Sequence, residues 1–323
     1  MRIGRDYTNC LVFDYLSERH RQAIEAGKLG LDSLDVTVTR KAKSDVKRQI
    51  EVTRELGMNH VELDADYPNS YLKFDKKRRN EVRETAESND VTLSVHLPYT
   101  YTSPAICSPQ EEDRRLAVEL NKRYIKFASD IGAKYAVTHP GNAPRKYTAK
   151  RYRKPVLEAL IKSLNELGKV ATEGGVALHL ENNTAFGYPL TEVDECLEVV
   201  EKAREDGTEL YFNFDIGHWF TRVDVGKSLP TQPESVLKQI PSELIKELHL
   251  TDYVPGERTF HPFIHLQLGP LKRDVLERYA RITKRKGAEV IVLETALRDH
   301  EQVSRRMELL REETEYVREI FGV

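Results

Sequence analysis

Apolar positions along the chain follow two rhythms. Short β-rich runs alternate with longer charged stretches whose apolar residues recur at helical spacing. In order, the runs are LGLDSLDVTV from Leu29, HVELDAD from His60, VTLSVHLPY from Val91, AKYAVTHPG from Ala133, VALHLENN from Val176, ELYFNFDIGH from Glu209, KELHLTDY from Lys246 and AEVIVLET from Ala288. Between them, Leu116, Leu120, Tyr124 and Phe127 recur on one helical face behind a capping pattern, Ser108-Pro109-Gln110-Glu111. A second stripe runs through Val303, Met307, Leu310, Thr314, Val317 and Phe321. Gly57, Gly132, Gly174 and Gly287 each fall between a helical stretch and the next run, where a helix end favours a left-handed residue.

Eight strand–helix alternations predict an α/β protein with a parallel sheet, and eight favour closure into a (β/α)8 TIM barrel. An open doubly wound sheet should carry a glycine-rich phosphate turn after its first strand, and neither GxGxxG nor a Walker pattern occurs there. The barrel is placed at residues 29–323. Residues 1–28 read as a short N-terminal extension with one helix near Ser17–Ala26.

Polar residues stand at the downstream ends of six runs: His96, His139, Glu181, Asp215, His249 and Glu294. In VALHLEN, Val176, Leu178 and Leu180 share one strand face, while Ala177, His179 and Glu181 share the other. The second face suits a barrel interior, with His179 one layer deeper than Glu181. In a barrel the six ends converge on one mouth, where catalytic groups belong. His218, three residues after Asp215, and His265, in the loop after the seventh run, extend the set. A single buried His or Asp is ordinarily a satisfied core group, but six strand ends together are a functional pattern. Carboxylates and imidazoles converging on one point call for a divalent cation: Mn, Zn, Co or Mg.

Composition narrows the partners. Lys and Arg number 50 against 52 Asp and Glu, a net charge of −2, so no global field favours nucleic acid. The three cysteines, Cys10, Cys107 and Cys196, form no CxxC and fit a reducing, cytoplasmic setting. No apolar run has the length of a membrane span. The expected partner is a small sugar-like molecule, and the reading is compatible with a homo-oligomer.

The ordered series HLPY, THPG, HLENN, DIGH, LHLTD, HLQLG and VLET resembles the xylose isomerase-like TIM-barrel superfamily. That superfamily spans sugar isomerases and epimerases of the tagatose epimerase type, inosose dehydratases and endonuclease IV-type AP endonucleases. The resemblance covers roughly residues 29–297. In the epimerase branch it implies a metal held by Glu181, Asp215, His249 and Glu294, with the two glutamates also transferring protons and His218 touching substrate. In the endonuclease branch it implies further zinc ligands at His96, His139, His218 and His265. Phe263 stands where that branch has an Asp, and DIGH departs from its D-T-C-H form. The leading expectation is therefore a metal-dependent isomerase or epimerase of a sugar, sugar phosphate or polyol ketone, with His96, His139, His218 and His265 facing substrate. The alternatives are a phosphodiesterase acting on abasic DNA and a lyase or dehydratase of a cyclic polyol or glycoside.

Three weaker features complete the reading. Arg145, Lys146, Lys150, Arg151, Arg153 and Lys154 read as a solvated loop and first helical turn, the alternative being a grip on the phosphate of a sugar phosphate or of a nucleic-acid backbone. The loop Trp219–Pro233 reads as a lid, an inert insertion or a subunit contact. Tyr67, Tyr99, Tyr101, Phe186, Trp219 and Phe263 are candidates to wall a sugar-sized pocket, though single aromatics usually pack in the core.

Overall fold

Residues of alternating character make the strands, and the alternation decides which side chains enter the barrel. The computed structural model describes every residue except 32, 33, 145, 147–149 and 206. One sheet holds β1 (Arg2–Asp6), β2 (His60–Asp64), β3 (Thr92–His96), β4 (Tyr135–Thr138), β5 (Ala177–Glu181), β6 (Leu210–Asn213), β7 (Glu247–Leu250) and β8 (Val290–Leu293). Its order is β6-β5-β4-β3-β2-β1-β8-β7, and every ladder is parallel. This is a TIM barrel whose ring is laddered except between β6 and β7. There the His249 amide donates instead to Asn213 Oδ1 at 2.8 Å.

The outward faces of the strands and the surrounding helices build the main apolar core, which includes Val61, Leu63, Leu93, Val95, Leu178, Leu180, Phe212 and Leu248. Inside the barrel lies a separate small plug of Tyr135, Val290 and Val292 with Ala177 against it. Around and above the plug the interior is polar, with His60, Glu62, Ser94, His179, Glu181, Glu247 and His249 all fully buried.

Seven of the eight runs contain strands; in the first, Asp32 and Ser33 lie outside the described residues and the described remainder holds no strand. Residues Val36–Ser44 form a helix, and Asp35 caps it by accepting from the Thr37 amide at 2.9 Å. The Val36–Thr39 alternation imitates a strand, yet Val36 is exposed and no sheet face waits for it. The first strand is Arg2–Asp6, which pairs with β8 on one side and β2 on the other. The stretch read as an N-terminal extension therefore supplies a stave of the barrel. It also contains the expected helix, Glu18–Glu25, capped by Ser17. At Gly4 an added Cβ would lie 2.5 Å from the His60 carbonyl oxygen, so only glycine lets β1 pass the filled interior.

The first helical stripe is present at Glu111–Asp130; the second spans two helices, with Val303 in His300–Ser304 and the rest in Arg306–Phe321. In the first, Tyr124 and Phe127 are buried but Leu116 is exposed, the inner face being carried by Ala117, Val118, Asn121 and Ile125. Gly57, Gly132 and Gly287 adopt left-handed backbones, whereas at the fourth junction Gly175 rather than Gly174 does so. The C-terminal helix is tied into the barrel by Glu313. Its Oε2 accepts from Arg5 Nη2 at 2.6 Å and from Thr295 Oγ1 at 2.8 Å, and its Oε1 accepts from the Ile264 amide at 2.7 Å. Arg5 and Glu313 are both wholly buried. Among the described residues no helix is long and apolar enough to cross a membrane.

Candidate active site

The mouth is assembled by strand ends. His96 and Glu181 are the last residues of β3 and β5, His139 follows β4, His249 lies within β7, and Glu294 follows β8. Asp215, two residues past β6, caps the short helix Ile216–Phe220: its Oδ1 accepts from the His218 amide at 2.7 Å and from Thr251 Oγ1 at 2.6 Å. Asn182 locks the neighbouring end, donating to the Asp215 carbonyl at 3.0 Å and accepting from its amide at 2.9 Å. These bonds fix the Asp215 carboxylate and bring His218 over the mouth.

Glu181 is the centre of the cluster. Its Oε2 lies 3.1 Å from His96 Nε2 and 3.6 Å from His139 Nε2. Its Oε1 lies 3.1 Å from His218 Nδ1 and 3.3 Å from His249 Nδ1. The same His249 Nδ1 is 3.0 Å from Glu294 Oε1, so one imidazole stands between two carboxyl groups. Its Nε2 is 3.1 Å from Glu62 Oε1, which sets the ring from behind.

These approaches do not satisfy the atoms involved. Glu181 Oε1, Asp215 Oδ2 and His249 Nδ1 are buried and have no partner in hydrogen-bond geometry. Buried polar atoms are ordinarily paired, so three converging orphans form a donor set that a cation would satisfy. The fit extends to distances: Glu181, Asp215, His218 and Glu294 offer ligand atoms within 4.8 Å of one another. Overlapping sets of the same reach are Glu62, His249 and Glu294, then His96, Glu181 and His249, then His218, His261 and Glu294. The four-membered set thus contains His218, with His249 in the sets beside it.

The electrostatics separate the two glutamates. Burial opposes ionisation of Glu181, but His139, His249 and His218 outweigh it and hold the carboxyl well below its ordinary range. Burial pushes Glu294 well above that range; His249 opposes this, and the charges of Glu181, Glu62 and Asp215 reinforce it. The imidazoles divide similarly. Burial alone would lower His96 and His218, yet carboxylate neighbours raise them to about 10 and about 9. Burial dominates His139 and His261, which fall to about 3 and about 4.

Of the expected residues, His96, His139, Glu181, Asp215, His218, His249 and Glu294 meet in the mouth. His265 does not. The Glu313 bond to the Ile264 amide anchors the turn Ile264–Leu266, and His265 faces the C-terminal helix, 3.5 Å from Glu312 Oε2. The mouth position is taken by His261, whose Nδ1 is 2.6 Å from the Glu294 carbonyl oxygen and whose ring neighbours His218. No period in the loop sequence announces His261. Glu62 was also missed, although His60, Glu62 and Asp64 alternate with Val61 and Leu63 much as Ala177, His179 and Glu181 do in VALHLEN. His179 lies deeper, between Tyr135 and Tyr211, as expected.

A cavity of 220 Å³ opens beside the cluster, lined by Tyr99, Thr138, His139, Asn142, Asn183 and His218 among others. Trp219 and Phe263 are core residues rather than pocket walls. In the expected lid, Thr221–Val225 is a short helical turn, and a second, Pro233–Gln239, begins where it ends and is held by Glu234 to Arg278. In the basic run, Arg145 lies outside the described residues, Arg153 pairs with Glu195, and Lys154 is exposed beside Glu158.

Comparisons place this architecture. The structure is similar to that of D-psicose 3-epimerase with D-tagatose from Clostridium cellulolyticum H10, at 20% identity and a TM-score of 0.66, covering 86% of this chain and 94% of that one. It is likewise similar to the IOLI protein holding a zinc atom, at 14% identity and a TM-score of 0.66, covering 100% and 98%. An uncharacterized protein of Methanocaldococcus jannaschii is 30% identical over 170 residues, and the match spans 52% of this chain and 59% of that relative's length. Residues 50–320 match the family described as xylose isomerase-like TIM barrel. The chain belongs to the xylose isomerase-like TIM-barrel family.

Proposed function

We propose that the protein is a cation-dependent isomerase or epimerase of a sugar-like ketone. The observation that carries this reading is the pair Glu181 and Glu294, set on either side of His249 Nδ1 at 3.3 and 3.0 Å and meeting Asp215 and His218 at one point. Two carboxyl groups converging on one point from different strands suit a paired proton transfer next to a carbonyl. Glu181 would remove the proton from carbon, and Glu294 would return one from the opposite side. Epimerisation needs delivery to the other face, which two opposed carboxyl groups provide.

Glu181, Asp215, His249 and Glu294 would hold the cation, with His218 beside them. When bound, the cation would stabilise the negative charge that develops on the substrate oxygen during proton removal. Glu62 would orient His249, and Asn182 and Thr251 would orient Asp215. His96, His139 and His218 would donate hydrogen bonds to hydroxyl groups in the cavity.

Glu181→Gln and Glu294→Gln test this. Each keeps the volume but removes a proton-transfer group, so turnover should fall by roughly 10²–10⁴-fold. With a ketose substrate in deuterated water, the wild type should incorporate deuterium at the reacting carbon. Variants that bind the cation and turn over like wild type would refute the two-carboxyl chemistry.

A metal-dependent phosphodiesterase is the second reading. It is favoured by one observation: His96 and His139 both approach Glu181 Oε2, the oxygen turned away from His249. Metal-dependent nicking of an abasic duplex, weakening steeply with salt, would establish it.

A further inference from the structure

We propose that Tyr67 and Tyr101, with Tyr99 beside them, form a stacking subsite for a second, uncharged ring, so that the substrate is a glycosyl-ketose or glycoside rather than a free monosaccharide. This rests on the sugar reading above and specifies its substrate. The rings of Tyr67 and Tyr101 meet edge to face with centroids 5.3 Å apart, on the loops that follow β2 and β3. They are 55% and 80% exposed, far more than packing aromatics. Tyr99, 46% exposed, lines the cavity and touches the His96 and His139 rings, so the loop that displays Tyr101 begins at the mouth.

The loop carrying these rings is held in place. Asp66 Oδ1 accepts from the Tyr99 amide at 3.0 Å, the Thr100 amide at 2.9 Å and Thr100 Oγ1 at 2.8 Å. Tyr101 is kept in a left-handed backbone at φ 56°, which costs free energy for a side chain of its size. A rigid loop spending that energy to display an aromatic ring to water fits a pre-organised binding surface. Two rings cover far less than the ~800 Å² per partner of a stable protein interface, and a pyranose face matches their size. Among the described residues the lining of the cavity holds neutral donors and acceptors beside its histidines, a set that suits the hydroxyl groups of an uncharged ring.

The test uses the cation-loaded protein and calorimetric binding of D-fructose against three glucosyl- or galactosyl-fructoses of different linkage: lactulose, palatinose and turanose. The best disaccharide should bind about tenfold tighter than fructose, the size of one to two ring contacts. In Tyr67→Ala/Tyr101→Ala that advantage should vanish. Equal affinity for fructose and every disaccharide, an advantage that survives the double variant, or no binding of any sugar would each overturn the subsite. Self-association lost in the double variant, with no sugar advantage, would overturn it by assigning the rings to a second copy. Deuterium incorporation is read separately. A Tyr-dependent advantage without incorporation keeps the subsite and overturns the isomerase chemistry, and incorporation without the advantage does the reverse.

Discussion

Replacing Glu313 by Gln should cost the protein about 3–5 kcal/mol, because it leaves the Arg5 charge buried without its partner. The structure sets up the loss plainly. Arg5 is wholly buried, its Nε and Nη1 already lack partners, and Glu313 Oε2 at 2.6 Å is the acceptor of its Nη2. Burial alone would make the guanidinium easier to deprotonate, but Glu313 keeps it charged. Gln also replaces one acceptor oxygen by an NH2 donor. That donor must face either Arg5 and Thr295 or the Ile264 amide, all of which now donate. Unfolding entropy is about 2.1 cal/mol/K per residue, so a chain of 323 residues has about 0.7 kcal/mol/K, and the midpoint should fall by about 4–7 °C. Calorimetric melts of Glu313→Gln, Arg5→Met and Arg5→Met/Glu313→Leu form the assay. The double variant should recover most of the loss, since both buried charges go together. A Gln variant within about 0.5 kcal/mol of wild type would refute the assignment of Glu313 as the counter-ion on which Arg5 depends.

Asp215→Asn keeps the helix cap but removes an anionic ligand, so dialysed protein should lose most of its cation by elemental analysis while keeping its melting profile. Glu62→Gln should weaken cation affinity by about 10–100-fold, through the loss of the carboxylate behind His249, as read by chelator competition. His96 and His218 are raised from 6.5 to about 10 and about 9 in the folded state, so the stability they contribute is complete below pH 6.5 and is lost as pH rises through 9 and 10. Chelated protein should therefore melt progressively lower from pH 6.5 to 10, and a flat profile would show that these imidazoles are not charged. Gly4→Ala should give little soluble protein, because its Cβ would meet the His60 backbone at 2.5 Å.

The sequence and the structure agree where one rhythm dominates. Seven runs hold strands whose outer faces are apolar, from the long row Val176, Leu178 and Leu180 down to Ala136 in β4. RIGRD reads poorly as a strand because Ile3 is its one aliphatic residue: Gly4 is dictated by close approach, Arg5 by a partner 308 residues away, and Asp6 accepts from the Thr8 amide where the strand ends. Tertiary partners overrode local pattern there, as they did in reverse at Val36–Thr39, where a cap and a helix outweighed β-branched alternation. The site was legible for the same reason as the strands, since a polar residue at a strand end has one place to go. His261 and His265 show the limit. Both lie in a loop without period, and which one enters the mouth is decided by the Glu313 bond to the Ile264 amide.

The join between β6 and β7 has a mechanical consequence. Along that edge an Asn213 amide oxygen stands in for a ladder, so the wall of the cylinder is thinnest where Asn213 and Asp215 face His249 and Thr251 across it. A cation gripped from both banks would act as a rivet through the slit. Loading the centre would then slow amide hydrogen–deuterium exchange in Leu210–Asn213 and Glu247–Leu250 more than in the laddered staves opposite, making closure of the wall and readiness of the mouth one event.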